Sequence, residues 1–240
     1  MNDLIQWPRA KYWTGTFNPV VGCRPVSEGC EHCYAESVCN QYGMNGAAGF
    51  APTAKPNAKP PKSGVVFVGN MTDIFGEWNK PLQIEHWLSS LSDNAFNLVL
   101  TKRSSRMKRF FFGFESVRKM CIGVTGENQR RFDERFDDLR YHFNLRKWLS
   151  LEPLLGPVKM GLHYIAPEDQ IDWVVVGAES IGSRAGRPCK LEWVESIVGE
   201  CLSANVPVFV KQLHIGGKLV KDITKFPAHL QIRQVPWTAR

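Results

Sequence analysis

The 240-residue chain contains no run of eighteen or more apolar residues, so a membrane-spanning helix is not expected. Its opening residues, MNDLIQWPRAKYW, lack the basic start and apolar stretch of an export signal. Without such a signal, an odd count of seven cysteines points to a reducing cytoplasm and to thiols used as ligands rather than disulfides. No block of lysine or arginine forms a tail, so any surface for a polyanion has to be assembled by the fold. The first predicted strand is not followed by a glycine-rich phosphate turn, which argues against an open dinucleotide-binding sheet.

Apolar residues make up 43% of the chain, enough for a substantial core, and the length suits one domain over residues 1–240. Lys and Arg total 30 against 23 Asp and Glu, a net charge of +7. That balance favours a nucleic-acid partner, with a mildly basic soluble enzyme as the plainer alternative.

Apolar, β-rich runs recur at 11–17, 64–70, 96–102, 119–127, 146–153, 171–179 and 206–212. Several are almost continuously apolar, as strands covered on both faces are. Segments 81–93, 104–114, 127–143 and 191–204 carry helical periodicity, and a short helix follows Cys33. Strands and helices alternating at this spacing predict an α/β fold of βαβ units with a parallel sheet. Seven such strands suit a partial or nearly closed parallel (β/α) barrel. One stretch, 43–64, is rich in Gly, Ala and Pro and has no period. It is expected to be an inserted loop, either a lid over the site or a mobile solvated excursion.

In a parallel barrel the reactive face lies at the C-terminal ends of the strands. Polar residues end every apolar run here: Asn70, Thr72 and Asp73, then Thr101, Lys102 and Arg103, then Thr125, Glu127 and Asn128. Ser150 and Glu152, Glu179 and Ser180, and Lys211 and Gln212 follow. Carboxylates such as Glu152 and Glu179 are costly beside a buried strand unless they bind something. Each taken alone also suits a helix cap or a loop salt bridge.

After the first strand comes FNPVVGCRPVSEGCEHCYAE, with Cys23, Cys30 and Cys33 spaced C-x6-C-x2-C. A structural zinc site is closed by four protein ligands. His32 adjoins Cys33, and Cys39 lies within the following helix, so neither completes a tetrahedron easily; Cys189 is the one plausible distant fourth ligand. Cys121 and Cys201 read as buried fillers. The other interpretation takes the count of three as it stands: a [4Fe–4S] cluster held by three cysteines leaves one iron open to a ligand.

A cysteine triad on the loop after the first strand of a parallel α/β barrel resembles the radical S-adenosylmethionine superfamily. The usual spacing there is C-x3-C-x2-C; here the first gap is three residues longer, and His32 stands at the position usually held by an aromatic residue. The chain also resembles a phage-associated family of unknown function, through FNPVVGCRPVSEGCEHCYAE, GNMTDIFGEW, LTKRSSRM, GVTGENQRRFDERFDDL, LSLEPLLGPV, WVVVGAES and PVFVKQL.

What the superfamily resemblance implies is a barrel of the TIM-like type, with Cys23, Cys30 and Cys33 holding a [4Fe–4S] cluster. It implies S-adenosylmethionine contacts at His32 and Tyr34, at Asn70, Thr72 and Asp73 (although the usual G-G-E triplet is absent), and at Thr125, Glu127, Asn128, Ser150 and Glu152. Glu179 and Lys211 remain for substrate contact or proton donation. An external one-electron reductant such as a flavodoxin is implied as partner. The phage resemblance and the basic charge together direct the chemistry to a nucleic-acid base, DNA favoured, in a host-cell cytoplasm. An isomerase or transferase that hypermodifies thymine, for instance by rearranging an amino-acid adduct, follows from the same resemblance. Arg103, Arg106, Arg184 and Arg187 are candidates to grip phosphates. The alternative is a zinc or iron–sulfur protein that binds nucleic acid or regulates without catalysis.

Overall fold

A computed structural model describes residues 5–112, 120–141, 145–166 and 169–237. The seven apolar runs form seven parallel strands: β1 Gly15–Phe17, β2 Gly64–Val68, β3 Ala95–Thr101, β4 Met120–Thr125, β5 Arg146–Leu151, β6 Trp173–Gly177 and β7 Val208–Ile215. An eighth, β8 Lys218–Val220, folds back antiparallel on β7. Order across the sheet equals order along the chain, so every strand lies beside its predecessor. In register, Val68 faces Val99, Val99 faces Ile122, and Thr125 faces Ser150.

Among the described residues, five α-helices accompany the strands: α1 Tyr34–Gln41, α2 Pro81–Ser89, α3 Ser104–Phe111, α4 Gln129–Leu139 and α5 Leu191–Ser203. Local chemistry sets their starts. Asn128 caps α4 by accepting the Arg131 N–H at 3.1 Å. Pro81 opens α2, where its missing N–H costs nothing. Successive parallel strands joined by right-handed crossovers put the connecting helices on one face. The packing agrees: Val66, Val99, Ile122, Leu149, Val174 and Val208 share a core with residues of α2 to α5.

Alternate residues point the other way, into a second core to which no helix contributes among the described residues. Its strand residues include Val65, Phe67, Leu98, Cys121, Trp148, Trp173, Val175 and Phe209, joined by Tyr12 from the segment before β1 and by Val235 and Trp237 near the C-terminus. Near the N-terminal ends of the strands, Trp237 packs on Phe96 and Trp173. Ile5–Gln6 pairs antiparallel with Gln234–Val235 beside it.

Several boundaries differ from the sequence expectation, and for two of them the cause is visible. Only 15–17 of the segment 11–17 enter the sheet, because Tyr12 turns inward to the second core. Helix α2 stops at Ser89, where the Ser90 side chain bonds back to the Trp87 carbonyl. Between β5 and β6, where no helix is expected from the sequence, the described residues hold a short 3-10 turn, Leu162–Tyr164. The expected helical ends at 113–114 and 142–143, and the strand start at 119, lie outside the described residues.

Candidate functional site

At the C-terminal ends of the strands a cavity of about 230 Å³ opens above the second core. Cys23, Cys30 and Cys33 all line it, and each thiol is half-buried. Of the other expected residues, His32, Tyr34, Asn70, Thr72 and Asp73 line it too. So do Thr125, Ser150, Glu152, Glu179 and Lys211. Glu127 and Asn128 do not: they lie behind the cysteine loop and hold it.

The six-residue spacer between Cys23 and Cys30 is tied down along its length. Ser27 donates to Glu127 Oε1 at 2.7 Å. Glu127 is fully buried and also accepts Lys102 Nζ and Arg135 Nη1, each at 2.7 Å. Burial alone would raise its pKa, but the two cations outweigh it and hold the carboxyl below the usual range. Next in the spacer, Glu28 accepts Asn128 Nδ2 at 2.6 Å and Arg131 Nη2 at 3.0 Å. Gly29 sits so close to Glu127 that a β-carbon there would lie 2.4 Å from Oε1.

Both ends of the motif are held as well. Arg103 places Nη1 4.0 Å from Cys23 Sγ and donates Nη2 to the Arg24 carbonyl at 3.0 Å. The same guanidinium reaches Asp73 at 3.2 Å and Glu77 at 2.9 Å. Burial, followed by the nearby Asp73 charge, pushes the Cys23 thiol up to about 11. Cys33 stands just before α1, where the Glu36 and Ala35 backbone N–H groups favour its thiolate. Burial still leaves that thiol raised. Among the described residues, no three His, Cys, Asp or Glu side chains gather tightly enough for a single metal ion.

The stretch 43–64 is a clasp on this loop rather than a free excursion. Thr53–Ala54 pairs with Val20–Val21, and the Cys23 N–H donates to Phe50 O at 3.1 Å. Gly22 makes the fit possible: its φ is +108°, and a β-carbon would meet Ala51 O at 2.4 Å. Phe50 itself lines the cavity.

The residues after β2 are committed to supporting this architecture. Thr72 donates to Gly22 O at 2.7 Å, and the Asn70 side chain accepts Asn18 Nδ2 at 2.7 Å. Tyr34 donates its hydroxyl to Asn70 O at 2.5 Å. Asp73 accepts from Thr101, the Lys102 N–H and the Phe75 N–H.

Glu179 is buried, clamped by the Arg187 guanidinium and backbone, and 3.2 Å from His32 Nδ1. Burial opposes its ionisation, yet these bonds, Arg187 first, bring it down to about 2. It is therefore an anion at working pH and has no proton to donate. Arg187 continues to Glu31 at 2.8 Å and to the Glu28 carbonyl at 2.9 Å, joining the end of β6 to the cysteine loop.

Lys211 occupies an extra position in β7, since Val210 faces Val176 while Gln212 faces Gly177. The bulge turns both Lys211 and Gln212 to the cavity. Lys211 Nζ lies 2.9 Å from Glu152 Oε1, above the Tyr12 and Trp13 rings. Behind the bulge, buried Arg233 donates to the carbonyls of Val210, Lys211 and Lys221.

Arg103 and Arg187 are thus spent on internal contacts, and Arg106 is bonded to the Gly76 and Asn79 carbonyls, so these three do not present free guanidinium groups to phosphate. Tyr12, Trp13 and Phe50 line the cavity although nothing in their local sequence distinguishes them from core residues.

The family described as "Protein of unknown function (DUF5131)" matches residues 5–230, and the chain belongs to it. No curated protein and no solved structure matches the chain.

Proposed function

We propose that the chain is a radical S-adenosylmethionine enzyme, with Cys23, Cys30 and Cys33 holding a [4Fe–4S] cluster. The observation that carries this is the convergence of three half-buried thiols from one loop on a cavity ringed by polar strand ends. Consecutive strand order in the sheet supports a partial or nearly closed (β/α) barrel.

The donor set fits the cluster. Thiolates are soft ligands, and a cluster that offers each sulfur its own iron needs them less tightly gathered than one ion does. Arg103 near Cys23, Lys102 toward Cys33 and the N–H groups at the start of α1 would stabilise the thiolate charge. When bound, cluster and S-adenosylmethionine supply reductive cleavage of a C–S bond and a 5′-deoxyadenosyl radical. The chain's own work is to shape the site. Glu127, Arg131 and Arg187 hold the spacer, Phe50 helps keep water from the cavity, and Lys211 and Glu152 present a paired cation and anion to the substrate side. The basic charge supports a nucleic-acid base as substrate, DNA favoured, with the base drawn out of the duplex to reach the cavity. An external one-electron reductant of the flavodoxin kind completes the system.

Anaerobic reconstitution with iron and sulfide is the test. The expected result is a brown protein that cleaves S-adenosylmethionine under reduction and alters a nucleoside in exposed DNA, read by mass spectrometry. Cys30→Ala should lose colour and cleavage while keeping the wild-type circular dichroism. A colourless protein with one zinc per chain would overturn the proposal in favour of a non-catalytic binding protein.

A further inference from the structure

The second core carries a feature for which simple packing gives no reason. Tyr12 lines the cavity floor with its hydroxyl 3.4 Å from Glu152 Oε2. Behind it the Trp173 ring lies 5.1 Å away, centroid to centroid, and Trp237 stands 4.9 Å beyond that. Trp7, half-buried, is 6.1 Å further on. Trp148 stacks on Trp173 at 5.3 Å with 27° between the planes. Leucine or phenylalanine would bury as much apolar surface without a polar N–H or O–H to satisfy. Phenol and indole are instead the side chains that give up an electron most readily, and here they touch in series.

We propose that Tyr12, Trp173, Trp237 and Trp7 form a one-electron relay from the cavity to the N-terminal end of the sheet. A carbon-centred radical in the cavity takes the phenolic hydrogen atom of Tyr12. The O–H bond breaks, a C–H bond forms, and a phenoxyl radical remains. An electron from Trp173 and a proton passed from Lys211 through the Glu152 carboxyl then restore the phenol. The electron vacancy moves from Trp173 to Trp237 and Trp7, where a soluble thiol or another one-electron reductant fills it. Lys211 recovers its proton from solvent. The sum is one radical, one electron and one proton combining into a C–H bond.

The contacts favour this route over its neighbour. Lys211 Nζ is 2.9 Å from Glu152, so proton donor and phenol share one carboxylate. Trp173 Nε1 donates to the Gln234 carbonyl at 2.9 Å, and a peptide carbonyl is too weak a base to take the proton. The oxidised indole therefore stays cationic and passes the vacancy on, and the stacked Trp148 shares the charge. Trp13 is as close to Tyr12, at 4.8 Å, but the ammonium groups of Lys11 and Lys211 lie over its ring and oppose a positive charge there.

The source of the radical rests on the function proposed above, whereas the relay belongs to the folded chain and is testable without a cluster. The experiment is flash oxidation of the full-length, metal-free protein by photogenerated ruthenium(III) polypyridyl, followed by transient absorption and EPR. Wild-type protein should give a phenoxyl component that is lost in Tyr12→Phe. The same component should be lost or slowed in Trp237→Phe, or in Trp7→Phe, which leaves the core intact should the former fail to fold. Identical phenoxyl signals in wild type and Tyr12→Phe would overturn the relay. So would a Tyr12 component whose yield and rate are unchanged in every folded tryptophan variant. A chain that assembles no cluster leaves a positive result standing, and a chain that cleaves S-adenosylmethionine without the transient loses only the relay.

Discussion

Replacing Glu127 with glutamine tests how the cysteine loop is held. The carboxylate is fully buried and accepts Ser27, Lys102 and Arg135 at 2.7 Å each. Glutamine preserves the shape but removes the charge, and its amide nitrogen would face a cation. Arg135 then keeps a guanidinium that is only 5% exposed with no anion beside it, while Lys102, at 21%, can turn partly to water. Breaking a buried pair on one side costs about 3–5 kcal/mol. For a chain of this size each kcal/mol moves the midpoint by about 2–4 °C, so Tm should fall by about 6–20 °C. Scanning calorimetry at pH 7 reads this directly.

Acidity gives a second reading of the same variant. The folded carboxyl is held below its 4.5 reference, so its stabilisation is present above that pH and fades as pH falls through the folded value. The gap between wild type and Glu127→Gln should therefore narrow on acidification below about pH 4.5. A Tm change under about 2 °C, or a gap that widens in acid, would refute the idea that this carboxylate organises the loop.

Three other outcomes follow from the contacts. Gly29→Ala should cost about 1–3 kcal/mol, because the new methyl meets the buried Glu127 carboxylate, and it should lower the iron bound per chain after reconstitution more than its melting temperature alone explains. Glu179, held at about 2, contributes stability that is present above its 4.5 reference and lost toward pH 2; urea midpoints of Glu179→Gln should be flatter than wild type across that window. Arg233→Met should lower the urea midpoint, since the Val210, Lys211 and Lys221 carbonyls lose their donor at about 1–3 kcal/mol for each one left buried and unpaired.

The parallel strands were legible because burial on both faces writes itself as short, unbroken apolar runs. Strand β8 and the Ile5–Gln6 pairing were not, because three- and two-residue strands with polar members carry no period. The polar strand ends were visible as a set, but their division of labour was not. Glu127 and Glu152 both follow a strand, yet one lies under the spacer and the other faces the cavity, a difference set by where Ser27, Lys102 and Arg135 converge. Arg187, in a Gly-Arg-Pro loop, looks like ordinary surface charge until the fold brings Glu179, Glu31 and the Glu28 carbonyl to it. Tyr12 sits in an apolar run and shows its second character only once Glu152, 140 residues away, reaches its hydroxyl.

The tethering of residues 23–33 to the ends of β3, β4 and β6 also bears on how such a site comes to be filled. In a zinc finger the metal organises the chain, so ligation energy is folding energy and a chelator unfolds the protein. Here ion pairs and a β-clasp hold the thiol-bearing loop in shape by themselves. Loading the proposed cluster would then fill a site whose shape is already set, and it would add to stability by mass action without dictating structure. Under the proposed reading, the cluster would be a passenger on this fold rather than its scaffold.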